Sequence, residues 1–504
     1  MNRTQKFALN SMTSMFSQII VLIAGVIIPR LMISTYGSEI NGLVSSLNQF
    51  ISYITLVEAG IGGAAIYSLY KPLAEQDTLQ ISRVVAAARK SYRQAGVIFL
   101  TGIVILGVVY GLLSNAVTVS FKHIFVLTLI LGINGCFDFF FIAGYKVLLT
   151  ADQRNYVISS VVIFQTIFRT VIICILATRG INVLVLYGCV SSLVLINTII
   201  IVYYCRHNYS YIDHNASPDK TAMRKRWDVI YQQILGIIQS GAPTVIATVL
   251  LNLITVSVYT VYNMVVSGLN GVLGIFITGL PAGFGDLIAR KEYDNLKKTV
   301  SEFEVAYYFI LSIVYGLAFV LIMPFISIYT YGLEDANYYY PALGIIIVLN
   351  GLLYNIKTPQ SMLVVSAGMY RETRSRVTIQ GLIIIICGTI GGKIAGIVGI
   401  MVGSCLSNLY RTIDLLFFTP RNITHASVKQ SALRMIRVLM SIALICLPLL
   451  FHTPLVDNYI QWVFMAMVYG LWAVVVAVFN TYLFDRNEFV SLKKRTLNIL
   501  KRKR

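Results

Sequence analysis

Acidic side chains are scarce in this chain, at 21 Asp and Glu in 504 residues, and histidines scarcer still, at five. Charged residues of both signs make up only 12%, against about 25% in a typical soluble domain. So little charge cannot wet the surface of a soluble fold of this size. His123, His207, His214, His425 and His452 do not cluster, which leaves no obvious metal or acid–base centre. The seven cysteines form no CxxC and lie within or beside apolar stretches, as small core hydrophobes do. There is no HExxH and no GxSxG. The nearest approach to a Walker A, GTIGGKI at 388–394, has the wrong glycine spacing and no Ser or Thr after Lys393. ATP hydrolysis and a soluble catalytic centre are therefore not expected, no metal or cofactor is implied, and no signal peptide is read.

What the chain has is apolar length. A membrane-crossing helix needs about 20 mostly apolar residues. Such stretches fall at 7–33, 41–68, 94–117, 121–149, 156–178, 181–205, 231–254, 259–289, 305–329, 341–367, 377–392, 395–419, 434–451 and 459–484. The expected class is an all-α polytopic membrane protein with about 14 spans. Placing the N-terminus inside puts 33 of the 40 Lys and Arg in inward segments. Lys122, Arg179 and Lys393 are outward, and Arg30, Arg169, Lys357 and Arg411 fall inside spans or at their ends. Cytoplasmic enrichment of Lys and Arg is the general bias, so both termini are expected in the cytoplasm. The net charge of +19 is spread over short loops and the tail Lys493–Arg504, which suits anionic lipid headgroups and not nucleic acid. Residues 71–93 have the spacing of an amphipathic surface helix.

An internal echo sets the organisation. Residues 41–49 (NGLVSSLNQ) and 263–271 (NMVVSGLNG) agree at five of nine positions, each at the start of the second span of its half. Six spans precede the second copy, so the halves share one orientation, as parallel repeats do. The expected division is a six-helix lobe over 1–205, a linker over 206–230, a second six-helix lobe over 231–419, a helix pair over 420–484 and a basic tail over 485–504. Two parallel lobes related by a pseudo-two-fold axis suit alternating access, and Pro29, Pro243, Pro281, Pro324 and Pro359 suit helices that bend or break.

Ionisable residues inside spans are costly and mark function. Arg30, Arg169 and Lys357 are the deep cations. With Asn41, Asn48, Asn263, Asn270 and Gln239 they supply the chemistry to attract a phosphate or pyrophosphate. Glu58 and Asp138 either pair with those cations or take a coupling H⁺ or Na⁺. Asp286, Arg411 and Asp414 read as interfacial ion pairs.

Pro29-Arg30, Tyr36 to Leu43 (YGSEINGL), Glu58 to Gly62 (EAGIG) and Tyr70 to Leu73 (YKPL) together resemble the opening of Wzx-type polysaccharide flippases. Those belong to the multidrug/oligosaccharidyl-lipid/polysaccharide (MOP) exporter superfamily. The motif likeness covers roughly residues 8–95. It implies a secondary-type carrier, not an enzyme, in a bacterial cytoplasmic membrane. Its cargo would be undecaprenyl-pyrophosphate-linked oligosaccharide for capsule or lipopolysaccharide O-antigen assembly, with a polymerase and glycosyltransferases as partners. Arg30 resembles a cavity arginine of the related lipid II flippases. A cation-coupled multidrug exporter is the alternative within the superfamily. A membrane glycan polymerase is less favoured, because the outward loops are too short for a catalytic loop.

Overall fold

The computed structural model describes residues 3–58, 60–113, 119–213, 216–219, 226–277, 280–450 and 456–488. Among them, eleven helices are long and apolar enough to cross a membrane. Two of these, Leu9–Glu58 and Tyr370–Thr424, run to 50 and 55 residues, longer than any single span needs. Each is broken inside. Gly37 (φ 84°) and Gly396 (φ 57°) occupy the left-handed region that a side chain resists, so Gly37 alone, and Gly396 with the non-helical Ala395 before it, replace a loop. Each long helix thus holds two spans, and with the shorter apolar helix Ile234–Leu250 the described residues hold the fourteen segments that hydropathy marks.

In chain order the helices are α1 (Arg3–Ile54), α2 (Ile61–Glu75), α3 (Thr78–Leu113), α4 (Phe121–Phe137), α5 (Ala143–Ala151), α6 (Asn155–Thr178), α7 (Val183–Asn208) and α8 (Arg226–Leu250). Then follow α9 (Leu253–Ile277), α10 (Leu280–Ala289), α11 (Tyr293–Tyr329), α12 (Pro341–Ile356), α13 (Thr358–Ser366), α14 (Tyr370–Thr419), α15 (Val428–Cys446) and α16 (Tyr459–Phe484). By contact the chain divides into two compact units, 1–260 and 261–504.

In the first unit α1 packs mainly on α6, and α3 on α4. The end of this bundle is tied by Asp152. It accepts from Lys6 at 2.9 Å and from the Tyr209 hydroxyl at 2.7 Å, and pairs with Arg154 at 2.7 Å. Burial and the carboxylate push the Tyr209 hydroxyl well above its ordinary pKa, so it stays a donor. The surface helix expected over 71–93 is not one element. α2 stops at Glu75, Gln76 turns with φ 55°, and Asp77 Oδ1 accepts from the Gln80 amide at 2.9 Å. That cap starts α3, which runs without a break into the third span. Similarly, Asn252 Oδ1 accepts from the Thr255 amide at 2.8 Å, so α9 begins six residues before the expected 259. In the linker, Asn215, Arg224 and Lys225 lie outside the described residues or their side chains, as does the basic tail beyond Glu488.

The second unit is built on tyrosine. Tyr262, Tyr307, Tyr315 and Tyr329 are among the largest fully buried side chains. A buried phenol needs a partner. Tyr262 donates to the Tyr338 carbonyl at 2.7 Å, Tyr307 to Asn355 at 3.3 Å and Tyr315 to Asn270 at 3.1 Å. The two limbs of α14 cross with almost no side chain between them. A Cβ on Gly399 would lie 1.9 Å from the Gly391 carbonyl oxygen, and one on Gly403 2.4 Å from the Gly388 amide nitrogen. The glycines of the failed Walker-like string are therefore helix-crossing residues, as small residues are in membrane bundles. Gly399→Val is expected to destroy the folded, monodisperse protein in detergent, since it exceeds the ~1–3 kcal/mol of ordinary overpacking. Gly470→Ala, where a Cβ meets nothing within 4 Å, should leave it intact.

Candidate functional site

Three ionisable residues inside spans stand at three interruptions of helical backbone. Irregular backbone at membrane depth is tolerated where it is buried in protein or lines a wet cavity. Glu58 ends the 3₁₀ turn Thr55–Glu58 between α1 and α2. Asp138 opens the π turn Asp138–Ile142 between α4 and α5. Lys357 is the junction of α12 and α13.

The Lys357 break has a local cause. Pro359 offers no N–H to the Asn355 carbonyl, and its ring crowds that carbonyl, so α12 ends. Lys357 is 7% exposed, and its ammonium donates to Asn408 Oδ1. Asn408 in turn donates to Asn350 at 2.9 Å, and the ammonium lies 5.0 Å from the centre of the Tyr354 ring. No carboxylate lies within ion-pairing distance of Lys357 among the described residues. One turn beyond Asn408, Arg411 pairs with Asp414 at 2.6 Å, and Arg376 holds the other oxygen of the same carboxylate. The predicted interfacial pair is thus a buried one, with Arg411 6% exposed, and its guanidinium is close enough to act on Lys357 as a like charge. Arg376 and Arg411 share the one carboxylate and Lys357 has none, so the three cations and Asp414 together carry a net charge of +2. Two residues before Lys357, Asn355 donates to Asn270 Oδ1 at 2.6 Å. Asn270, one of the predicted polar residues, therefore joins the framework beneath this break.

The second cluster is acidic and lies in the first unit. Asp138 Oδ1 accepts from Lys146 Nζ at 2.6 Å, and Glu58 is within electrostatic reach of both. The π turn explains the pairing. Two α-helical turns take about 7.2 residues. The extra residue of a π turn stretches that to about eight, which brings Lys146 back onto the face of Asp138. Beside this pair is a cavity of about 260 Å³ lined by Asn134, Asp138, Lys146, Gln165 and Asn197 among apolar residues. The Asn134 and Asn197 side-chain oxygens are buried and have no hydrogen-bond partner among the described residues. Asn197 is only 4% exposed. Two unmet acceptors and a carboxylate around one cavity are the donor chemistry of a small cation or hydronium.

The other predicted residues are distributed more widely. Arg30 is half-buried on α1, and Arg169 is exposed on α6, with Tyr187 in electrostatic reach. Asn41 is buried and donates to Ser257 Oγ at 2.8 Å, which gives it a packing role. Asn48 is exposed, and Asn263 and Gln239 are half-buried. Sequence reading missed Lys146, Asn134, Asn197 and Asn408. A polar residue inside an apolar span was the available signal for the three asparagines. Lys146 had none, because only the π turn aligns it.

No family model matches the chain, and no curated protein sequence matches it. Solved structures do. An inward-facing multidrug-resistance MATE-family transporter of the MOP superfamily matches with TM-score 0.66 at 13% identity, over 83% of this chain and 99% of that one. The lipid II flippase MurJ, in an inward closed conformation, matches with TM-score 0.62 at 15% identity, over 95% and 99%. A MOP-superfamily transporter from Pyrococcus furiosus, described by the reverse polarity of its binding pocket, matches at 0.57 and 13%, over 86% and 96%. The protein is a multi-pass membrane protein with the fold of MOP-superfamily transporters, drug exporters and a lipid flippase alike.

Proposed function

We propose that the chain is a flippase that moves undecaprenyl-pyrophosphate-linked oligosaccharide across the bacterial cytoplasmic membrane by alternating access, for assembly of a surface polysaccharide. The observation that carries this reading is Lys357, a buried cation at a helix break with no carboxylate to neutralise it among the described residues. An unpaired charge at that depth is destabilising unless a ligand meets it. The net charge of +2 around it suits a pyrophosphate. We propose Arg30 and Arg169, both in the first unit, as further cations for an anionic substrate. The bias of Lys and Arg supports cytoplasmic termini. A deletion strain is expected to lose surface glycan and regain it on complementation with the wild-type gene. Retained glycan with new sensitivity to cationic drugs would refute the flippase reading.

The acidic cluster favours a role for a coupling cation, and on its own it also suits the multidrug-exporter reading. We expect Glu58→Gln or Asp138→Asn to weaken the dependence of transport on an imposed H⁺ or Na⁺ gradient by roughly 5–150-fold, the usual range of a coupling energy. Transport by reconstituted protein under each gradient checks this. Unchanged gradient dependence in both variants removes the coupling role.

A further inference from the structure

In its first half α3 presents Arg89, Lys90 and Arg93 within little more than one turn. They line a pocket of about 450 Å³, inside the ~300–1,000 Å³ range of small-molecule sites. Gln94 and Val97 extend its wall, and Pro218 from the segment after α7 closes the far side. No acidic side chain lines it among the described residues. The far wall is anchored along α3. The Asp219 amide donates to the Arg83 carbonyl at 3.2 Å, Gln80 donates to Asp219 Oδ2 at 2.8 Å, and the Asp213 amide donates to Ser82 Oγ at 3.1 Å. Arg89 is half-buried with its guanidinium 5.2 Å from the centre of the Tyr145 ring, which fixes its direction. Lys90 and Arg93 are exposed and form no ion pair among the described residues. The pocket sits where the helix changes character. Val97 and Ile98, each 57% exposed, begin the apolar face that continues along the third span.

We propose that this pocket binds the phosphate group of an anionic membrane lipid, with the lipid's acyl chains lying along Val97 and Ile98. A cationic pocket opening onto an apolar helix face fits an amphiphile with a phosphate head. A free phosphate ester satisfies the cations and leaves that face unused. By the bias of Lys and Arg, this end of α3 is the cytoplasmic one. The site is made by residues of the first unit alone and does not depend on what the protein transports.

The test uses the full chain purified in neutral detergent and titrated with phosphatidylglycerol, phosphatidylcholine or inorganic phosphate. Bound lipid is counted by native mass spectrometry. Lys90→Gln combined with Arg93→Gln is expected to raise the half-saturating phosphatidylglycerol concentration roughly thirtyfold, from two headgroup-level charges. Both side chains are exposed, so the lipid-free melting temperature should match wild type. Lys90→Arg with Arg93→Lys should keep the wild-type affinity. Equal phosphatidylglycerol binding by the wild type and the Gln variant overturns the proposal, as does phosphatidylcholine binding just as well. Full displacement of the lipid by inorganic phosphate overturns the lipid assignment in favour of a soluble phosphate ester.

Discussion

Lys357→Met is expected to abolish surface-glycan display while leaving the protein as stable as wild type, or more so. The two halves of that expectation come from one fact. Lys357 is buried and has no carboxylate partner among the described residues, and the like-charged Arg411 acts on it. Replacing a buried charge by an apolar side chain of similar volume is often neutral or stabilising. The loss of the Asn408 contact costs about 1.5–3 kcal/mol in return, against which stands the relief from burying an unpaired ammonium. A phosphate that relied on this ammonium would lose roughly 2–5 kcal/mol of binding, or about 30- to several thousand-fold. Thermal unfolding in detergent reads the first half, and glycan display at matched membrane abundance reads the second. A purely structural lysine would give the opposite pattern, with lower stability and transport that follows protein abundance.

Arg434→Met is expected to give that opposite pattern. Arg434 on α15 is 4% exposed and holds three carboxylates, Glu304 on α11 at 2.9 Å, Asp485 at 3.1 Å and Glu488 at 2.9 Å. Arg437 reinforces Asp485 at 2.9 Å. The network fastens α11, α15 and the end of α16 to one another. Without Arg434, Glu304 is left buried with only neutral donors, Ser431 and Gln360, each at 2.9 Å. Breaking a buried pair from one side costs about 3–5 kcal/mol. The apparent melting temperature should fall accordingly, and adding Glu304→Gln should recover part of the loss. A double-mutant cycle with no coupling between the two positions would contradict the network.

Much of the fold was readable because lipid imposes a simple rule on sequence. Apolar length marked the spans, and the fourteen segments follow it. The loops were harder. Between the first two spans the sequence suggests a short connection, but Gly37 alone makes the bend, and Ala395 with Gly396 makes the one in α14. The caps at Asp77 and Asn252 moved two boundaries, because one side-chain hydrogen bond outweighs hydropathy in deciding where a helix starts.

The sites divide along the same line. The break at Lys357 was visible in principle from Pro359 two residues later. Its pairing with Asn408 was not, since that residue comes from a helix 51 residues along the chain. Glu304 and Arg434 lie 130 residues apart, and no local pattern connects them. Lys146 gave no signal in the sequence, because a regular helix turns it away from Asp138 and the π turn is invisible in composition. Asn41 was counted among the cavity residues, but its partner Ser257 shows it packing against α9.

The most direct measurement reconstitutes the purified chain in liposomes and follows a pyrophosphate-linked oligosaccharide lipid from one leaflet to the other. The account predicts transfer by the wild-type protein, none by Lys357→Met, and no competition from organic cations. Transport of an organic cation with no movement of the pyrophosphate lipid would contradict it.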